Sequence, residues 1–229
     1  MYLTAVIAGG LMELRDYIAI RRAYNLVRQS LARESRMTFA EFAMLCRINV
    51  LARPLTTTEI ATYQNVLRPT MTHRTKHLSE MGLLERSKGD SDRRHILCSI
   101  TDRGEAFVRE TCEQLCIILR LGSALKRIDW ERACRYVDAM GSVELKASDL
   151  VLLGILNSDG GITVSALVDM LGLLQPTVSM SVSTLEKAGL ICHERDNVRR
   201  LSTVTLTQEG RARGDDFCRD IDSLVVHRR

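Results

Sequence analysis

Leu67-Arg-Pro-Thr-Met-Thr-His-Arg-Thr-Lys-His-Leu-Ser-Glu-Met-Gly-Leu-Leu-Glu-Arg-Ser-Lys-Gly-Asp-Ser-Asp-Arg-Arg-His-Ile-Leu-Cys-Ser-Ile100 is the stretch around which the chain is organised. Pro69 suits the first turn of a helix, where its missing N–H costs nothing. Met71, Leu78 and Met81 share one face of that helix, while Thr70, Thr72, His73, Lys76 and His77 fall largely on the other. Gly82 is placed to stop it. A strand over 83–87 follows, then a polar turn containing Gly89, then a return strand over 93–100 in which Ile96, Cys98 and Ile100 point one way. A short helix with a polar face followed by a hairpin with arginines at its tip is the outline of a winged helix-turn-helix, a device that reads DNA.

Outward from this stretch the pattern stays helical. Ile20, Tyr24, Val27 and Leu31 recur by fours and threes between 11 and 33. Thr38-x-x-Glu41 and Thr56-x-x-Glu59 are capping boxes that open two further helices. Thr101 and Asp102 open a long helix to about Leu121, and Ile128 to Val143 is helical again.

The plan then restarts at an offset of 107 residues, from Pro69 to Pro176. At the same offset Thr56, Leu78, Gly82 and Leu83 meet Thr163, Leu185, Gly189 and Leu190. One residue is lost in the second hairpin, after which Arg93, Arg94, Thr101 and Gly104 meet Arg199, Arg200, Thr207 and Gly210. Register kept across a turn, a helix and a hairpin marks an internal repeat. The copies are read as 1–122 and 123–229, each with a leading helix (11–33 or 126–143), a winged helix-turn-helix (38–100 or 146–206) and a trailing helix (102–121 or 208–226). The expected fold is mainly α with small β-hairpin wings: two tandem winged helix-turn-helix domains joined through a helical core.

At 229 residues the chain has ample material for a core, and its net charge of +4 permits nucleic-acid binding without arguing for it. Seven scattered cysteines with no CxxC pair fit reduced cytoplasmic thiols better than a disulfide framework. The apolar start, Tyr2 to Ala8, is too short to span a bilayer and has no basic leader, so no membrane role is expected. There is no P-loop, GxSxG or HExxH, and no enzyme is expected. His73 and His77 are spaced like a helical metal pair but lack a third ligand, so neither metal nor cofactor is assigned. Cys112 and Cys116 lie one turn apart and read best as inert buried thiols; a redox sensor is the alternative.

Pro69-Thr-Met-Thr…Leu78-Ser-Glu-Met-Gly-Leu-Leu and Asp90-Ser-Asp-Arg-Arg…Ile100-Thr-Asp-Arg-Gly104 resemble the multiple-antibiotic-resistance regulator (MarR) family. Pro176-Thr-Val-Ser…Leu185-Glu-Lys-Ala-Gly-Leu-Ile and Leu206-Thr-Gln-Glu-Gly210 do so as well. Two copies in one chain resemble the SarA-like two-domain branch, which implies a single-chain pseudo-dimer or a homodimer. The resemblance further implies repression as the default direction and a small aromatic effector. It makes Arg94 the groove-entering wing arginine, with Arg93 paired to Asp90 or Asp92. In the second copy Val198 stands where an acidic residue would brace the wing.

Double-stranded DNA is therefore the expected partner. The first copy offers Arg68, Thr70, Thr72, His73, Lys76 and His77 to base edges and phosphates, with Lys88, Arg93 and Arg94 in its wing. The second offers Gln175, Thr177, Ser179, Met180 and Ser183 on the helix, with Arg195, Arg199 and Arg200 in the wing. Eight basic against six acidic residues give +2 over 54–104, and four against five give −1 over 161–210. The first copy thus supplies more of the electrostatic attraction. The alternatives are a winged-helix module that grips another regulator without touching DNA, and a ligand- or redox-gated sensor.

Overall fold

The computed structural model describes residues 9–88, 96–122, 125–158, 160–196 and 201–227. In chain order the elements are β1 (Gly9–Leu11), α1 (Leu14–Ser30), α2 (Phe39–Leu51), β2 (Leu55–Thr56), α3 (Thr57–Tyr63), α4 (Arg68–Glu80), β3 (Leu84–Lys88) and β4 (Ile96–Ile100), then α5 (Asp102–Gly122) and α6 (Trp130–Met140). The second half continues with α7 (Ala147–Leu156), α8 (Val164–Leu171), α9 (Gln175–Lys187), β5 (Ile191–Asp196), β6 (Leu201–Leu206), α10 (Gln208–Asp222) and β7 (Val225–His227). The fold is mainly helical with small antiparallel sheets, as the periodicities predict.

The first compact unit is Leu31–Glu144 together with the two chain ends. Its centre is α2, whose Phe42, Ala43, Met44, Leu45, Cys46 and Ile48 are all buried. A helix apolar nearly all round must be covered on every side. Here α4, α5, α6 and β4 cover it. Both predicted capping boxes form. The Thr38 N–H donates to Glu41 Oε2 at 2.7 Å while the Glu41 N–H donates to Thr38 Oγ1 at 3.2 Å, and Thr56 and Glu59 repeat this at 2.7 and 3.1 Å. β3 and β4 form the hairpin, and β2 adds a third strand that periodicity does not reveal, pairing Leu55 with Cys98. β1 pairs antiparallel with β7, tying the two chain ends together.

The second unit is Glu13–Ser30 with Leu145–Asp222. α7 takes the central place of α2, with Leu150, Val151, Leu152, Leu153 and Ile155 buried. β5 and β6 pair, and the single bridge Ile162–Val204 occupies the position that Leu55–Cys98 holds in the first unit.

The repeat halves and the packing units divide the chain differently. α1 is written at the head of the first copy but packs on α7, α8 and α10; α6 heads the second copy but packs on α2 and α5. Both leading helices present the same kind of apolar stripe, Tyr17, Tyr24 and Val27 in one and Ala133, Val137 and Met140 in the other. A stripe fixes which face is buried and leaves open which copy buries it.

Candidate nucleic-acid interface

The two helix-turn-helix turns have one geometry. Asn65 (φ 52°) ends α3 in the left-handed region, and Gly172 (φ 61°), at the repeat offset, does the same after α8. Asparagine and glycine are residue types that enter this region at low cost. Leu67 and Leu174 then cap the next helices, each with a proline in the first turn as predicted.

α4 is bolted down by Met71, Thr75 and Leu78, and α9 by Val178, Val182 and Leu185, the same three positions. Met81 is only half-buried; fully buried Thr75 fills the inward face in its place, its hydroxyl donating to the Thr72 carbonyl at 3.1 Å. Arg68, Thr70, Thr72, His73 and Lys76 are exposed together on the opposite face of α4. Lys76 lies 3.6 Å from Glu80, a loose pair that leaves the ammonium in solvent. Gln175, Ser179, Met180 and Ser183 are exposed along α9, and Thr177 is half-buried. Lys88 ends β3 in the open. Arg195 sits in β5. The wing arginines Arg93, Arg94, Arg199 and Arg200 lie outside the described residues.

His77 differs from its fellow candidates. Its Nδ1 is 2.7 Å from Glu41 Oε1 on α2, so this side of the ring faces inward. Burial tends to raise the Glu41 carboxyl pKa, but hydrogen bonds from the Thr38 N–H, the Thr38 hydroxyl and His77 hold it below the usual value. The pair links α4 to the central helix α2.

Sequence reasoning misses two further residues that set the pose of α4. Buried Gln64 donates to the Ala40 carbonyl at 2.8 Å and accepts from Arg74 Nη1 at 3.0 Å. Arg74 also pairs with Glu144. No local motif marks Gln64, because its role is to bridge helices distant in sequence. In the second unit Leu171 and Ser181 stand at these positions, so α9 is seated by apolar packing there. The second unit has its own device. Arg22, Asn25 and Gln29 of α1 donate to the carbonyls of Asp169 (2.8 Å), Leu171 (2.9 Å) and Gly172 (2.6 Å), satisfying the open end of α8 just before the turn.

Behind α3, the Arg47 guanidinium stacks 4.0 Å from the Tyr63 ring centroid and lies 3.3 Å from Asp138 Oδ2. The Tyr63 hydroxyl donates to the Asp138 carbonyl at 2.7 Å. Burial pushes the Asp138 carboxyl up to about 6, against the pull of Arg47. These residues line a cavity of about 370 Å³ within the first unit, together with Arg135 and Val225.

Among the described residues no helix is long and apolar enough to cross a membrane. Residues 37–96 match a family model described as MarR family, and residues 144–200 match a second model of the same description. The two matches together span just over half of the chain. No curated protein matches the chain.

Three solved structures give fainter likenesses. BpsR of Bordetella bronchiseptica, whose DNA binding is regulated by 6-hydroxynicotinic acid, is 23% identical over 45% of this chain and 72% of its own, with a TM-score of 0.37. A probable transcriptional regulator from Pseudomonas aeruginosa is 19% identical over 50% and 83%, at 0.36. RV1404 from Mycobacterium tuberculosis is 21% identical over 58% and 89%, at 0.39. The two family matches fall on the two helix-turn-helix copies. The chain belongs to the MarR family of transcriptional regulators, in a tandem two-copy form.

Proposed function

We propose that the chain is a cytoplasmic transcriptional repressor that binds double-stranded DNA sequence-specifically and acts as a single-chain pseudo-dimer. In this reading α4 and α9 enter major grooves and the wing arginines enter the flanking minor grooves. The observation that supports it is the exposed stripe Arg68, Thr70, Thr72, His73 and Lys76 on α4, repeated in register by the polar stripe of α9. Cations on phosphates and hydroxyls or imidazole on base edges are the chemistry a duplex demands. Lys88 adds an exposed cation in the first wing. The family resemblance adds a small aromatic effector, and the 370 Å³ cavity beside Arg47, Tyr63 and Asp138 is of a size to hold one.

Selection of bound sequences from a random duplex pool tests the proposal, followed by mobility shifts with wild type and Arg93→Ala/Arg94→Ala. Wild type should enrich one asymmetric motif and the double variant should bind it more weakly. Negligible binding by both overturns it.

One observation favours a second reading for the second unit. Met180 is 72% exposed on α9, and no basic residue stands at the positions of His73 and Lys76. Such a face suits a protein partner as well as a groove. Selection that recovers only a single half-site would favour it.

A further inference from the structure

Cys46 of α2, Cys112 of α5 and Cys134 of α6 converge from three helices, with their three sulfurs all within 4.8 Å of one another. All three are buried. We propose that they form a binding site for a three-coordinate thiophilic ion, best matched by trivalent arsenic or antimony. The site does not depend on the DNA-binding reading and is tested apart from it.

Buried thiols usually serve as small apolar fillers. Cys98 and Cys116 fit that description: both are buried, both stand apart from the cluster, and burial pushes each thiol up to about 11. The cluster behaves otherwise. The Cys134 sulfur donates to the Cys46 carbonyl at 3.9 Å and lies 3.8 Å from the Asn49 amide, which holds it at the meeting point of α2 and α6. Three soft sulfurs brought to one point are a ligand set for a thiophilic ion, each binding it as thiolate.

Geometry and charge then select the ion. Trivalent arsenic keeps a lone pair and sits above its three sulfurs as a pyramid, so with bonds of about 2.3 Å the sulfurs stand roughly 3.5 Å apart and the cluster needs a contraction of at most about 1.3 Å. Soft thiolates favour soft ions. Zinc prefers four ligands, and among the described residues no fourth His, Cys, Asp or Glu joins the group. A divalent ion with three thiolates would leave a net negative charge in the core, whereas a trivalent ion leaves none. With arsenite the step is an exchange without redox. Three As–O bonds break, three As–S bonds form, and each hydroxide leaves as water with one thiol proton. Entry requires α6 to lift from α2 and α5, so loading should be slow, and the loaded site should staple the three helices.

Arsenite and zinc are the probes, on the full-length reduced protein. Native mass spectrometry should show one arsenic gained and three protons lost per chain. X-ray absorption at the arsenic edge should count three sulfur and no oxygen ligands. Cys134→Ser should weaken arsenite binding more than about tenfold, whereas Cys192→Ser and Cys218→Ser should leave it unchanged. Absence of arsenic uptake, fewer than three sulfurs, dependence on Cys192 or Cys218, or equal affinity for zinc would each overturn the site. Should Cys134→Ser fail to fold, the sulfur count on wild type decides alone.

Discussion

Gly104 and Gly210 stand three residues after the threonines that open α5 and α10, and the structure gives the Thr-x-x-Gly pattern a cause. The Thr101 hydroxyl donates to the Gly82 carbonyl and accepts from the Gly104 N–H, at 2.8 and 3.0 Å; Thr207, Gly189 and Gly210 repeat this at 2.8 and 3.1 Å. A Cβ on Gly104 would sit 2.2 Å from the Leu83 carbonyl oxygen, and one on Gly210 would sit 1.8 Å from that of Leu190. Backbone cannot give way as a flexible side-chain tip can. Gly104→Ala and Gly210→Ala should therefore each lose about 1–3 kcal/mol in urea unfolding. Gly122→Ala, which meets open space, should change stability by about 0.5 kcal/mol or less.

Asp138 makes a second residue-scale prediction. Its folded pKa of about 6 lies above the ordinary 3.8, so its contribution is full below the lower value and lost as pH rises through the higher one. Between about pH 4 and 6, wild type should lose up to about 3 kcal/mol more unfolding free energy than Asp138→Asn. Parallel pH profiles for the two proteins would contradict the assignment.

Among the elements, what the sequence made legible had local signals. The capping boxes at Thr38 and Thr56, the prolines of α4 and α9, the left-handed Gly82 and Gly189 and the first wing hairpin are written in short motifs, and the structure forms each of them. What was hidden is non-local. Gln64, the inward-facing side of His77, the strand β2 and the convergence of three cysteines all depend on which helix lies beside which, and spacing along one element carries no such information. The seating of α8 by α1 belongs with these. Asn25→Ala/Gln29→Ala should leave the Leu171 and Gly172 carbonyls without those partners and cost about 0.5–1.5 kcal/mol per bond. Hydrogen exchange at the start of α9 should quicken correspondingly.

For the molecule as a whole, the exposed faces of α4 and α9 occupy the same repeat positions and differ in charge. Lys76→Ala should flatten the slope of log affinity against log salt by about one unit, while Ser183→Ala should leave it unchanged. Footprints on a selected operator should show stronger phosphate protection over one half-site. Equal protection of both halves would contradict the charge asymmetry between 54–104 and 161–210.

Because α1 lies in the unit otherwise built from 145–222 and α6 in the one built from 31–144, neither half of the gene encodes a finished body. A stop codon after residue 122 would strip α6 from α2 and α5 and leave apolar surface bare, so the truncated product should be degraded or aggregate. Supplying 123–229 from a second transcript should rescue it by complementation in trans.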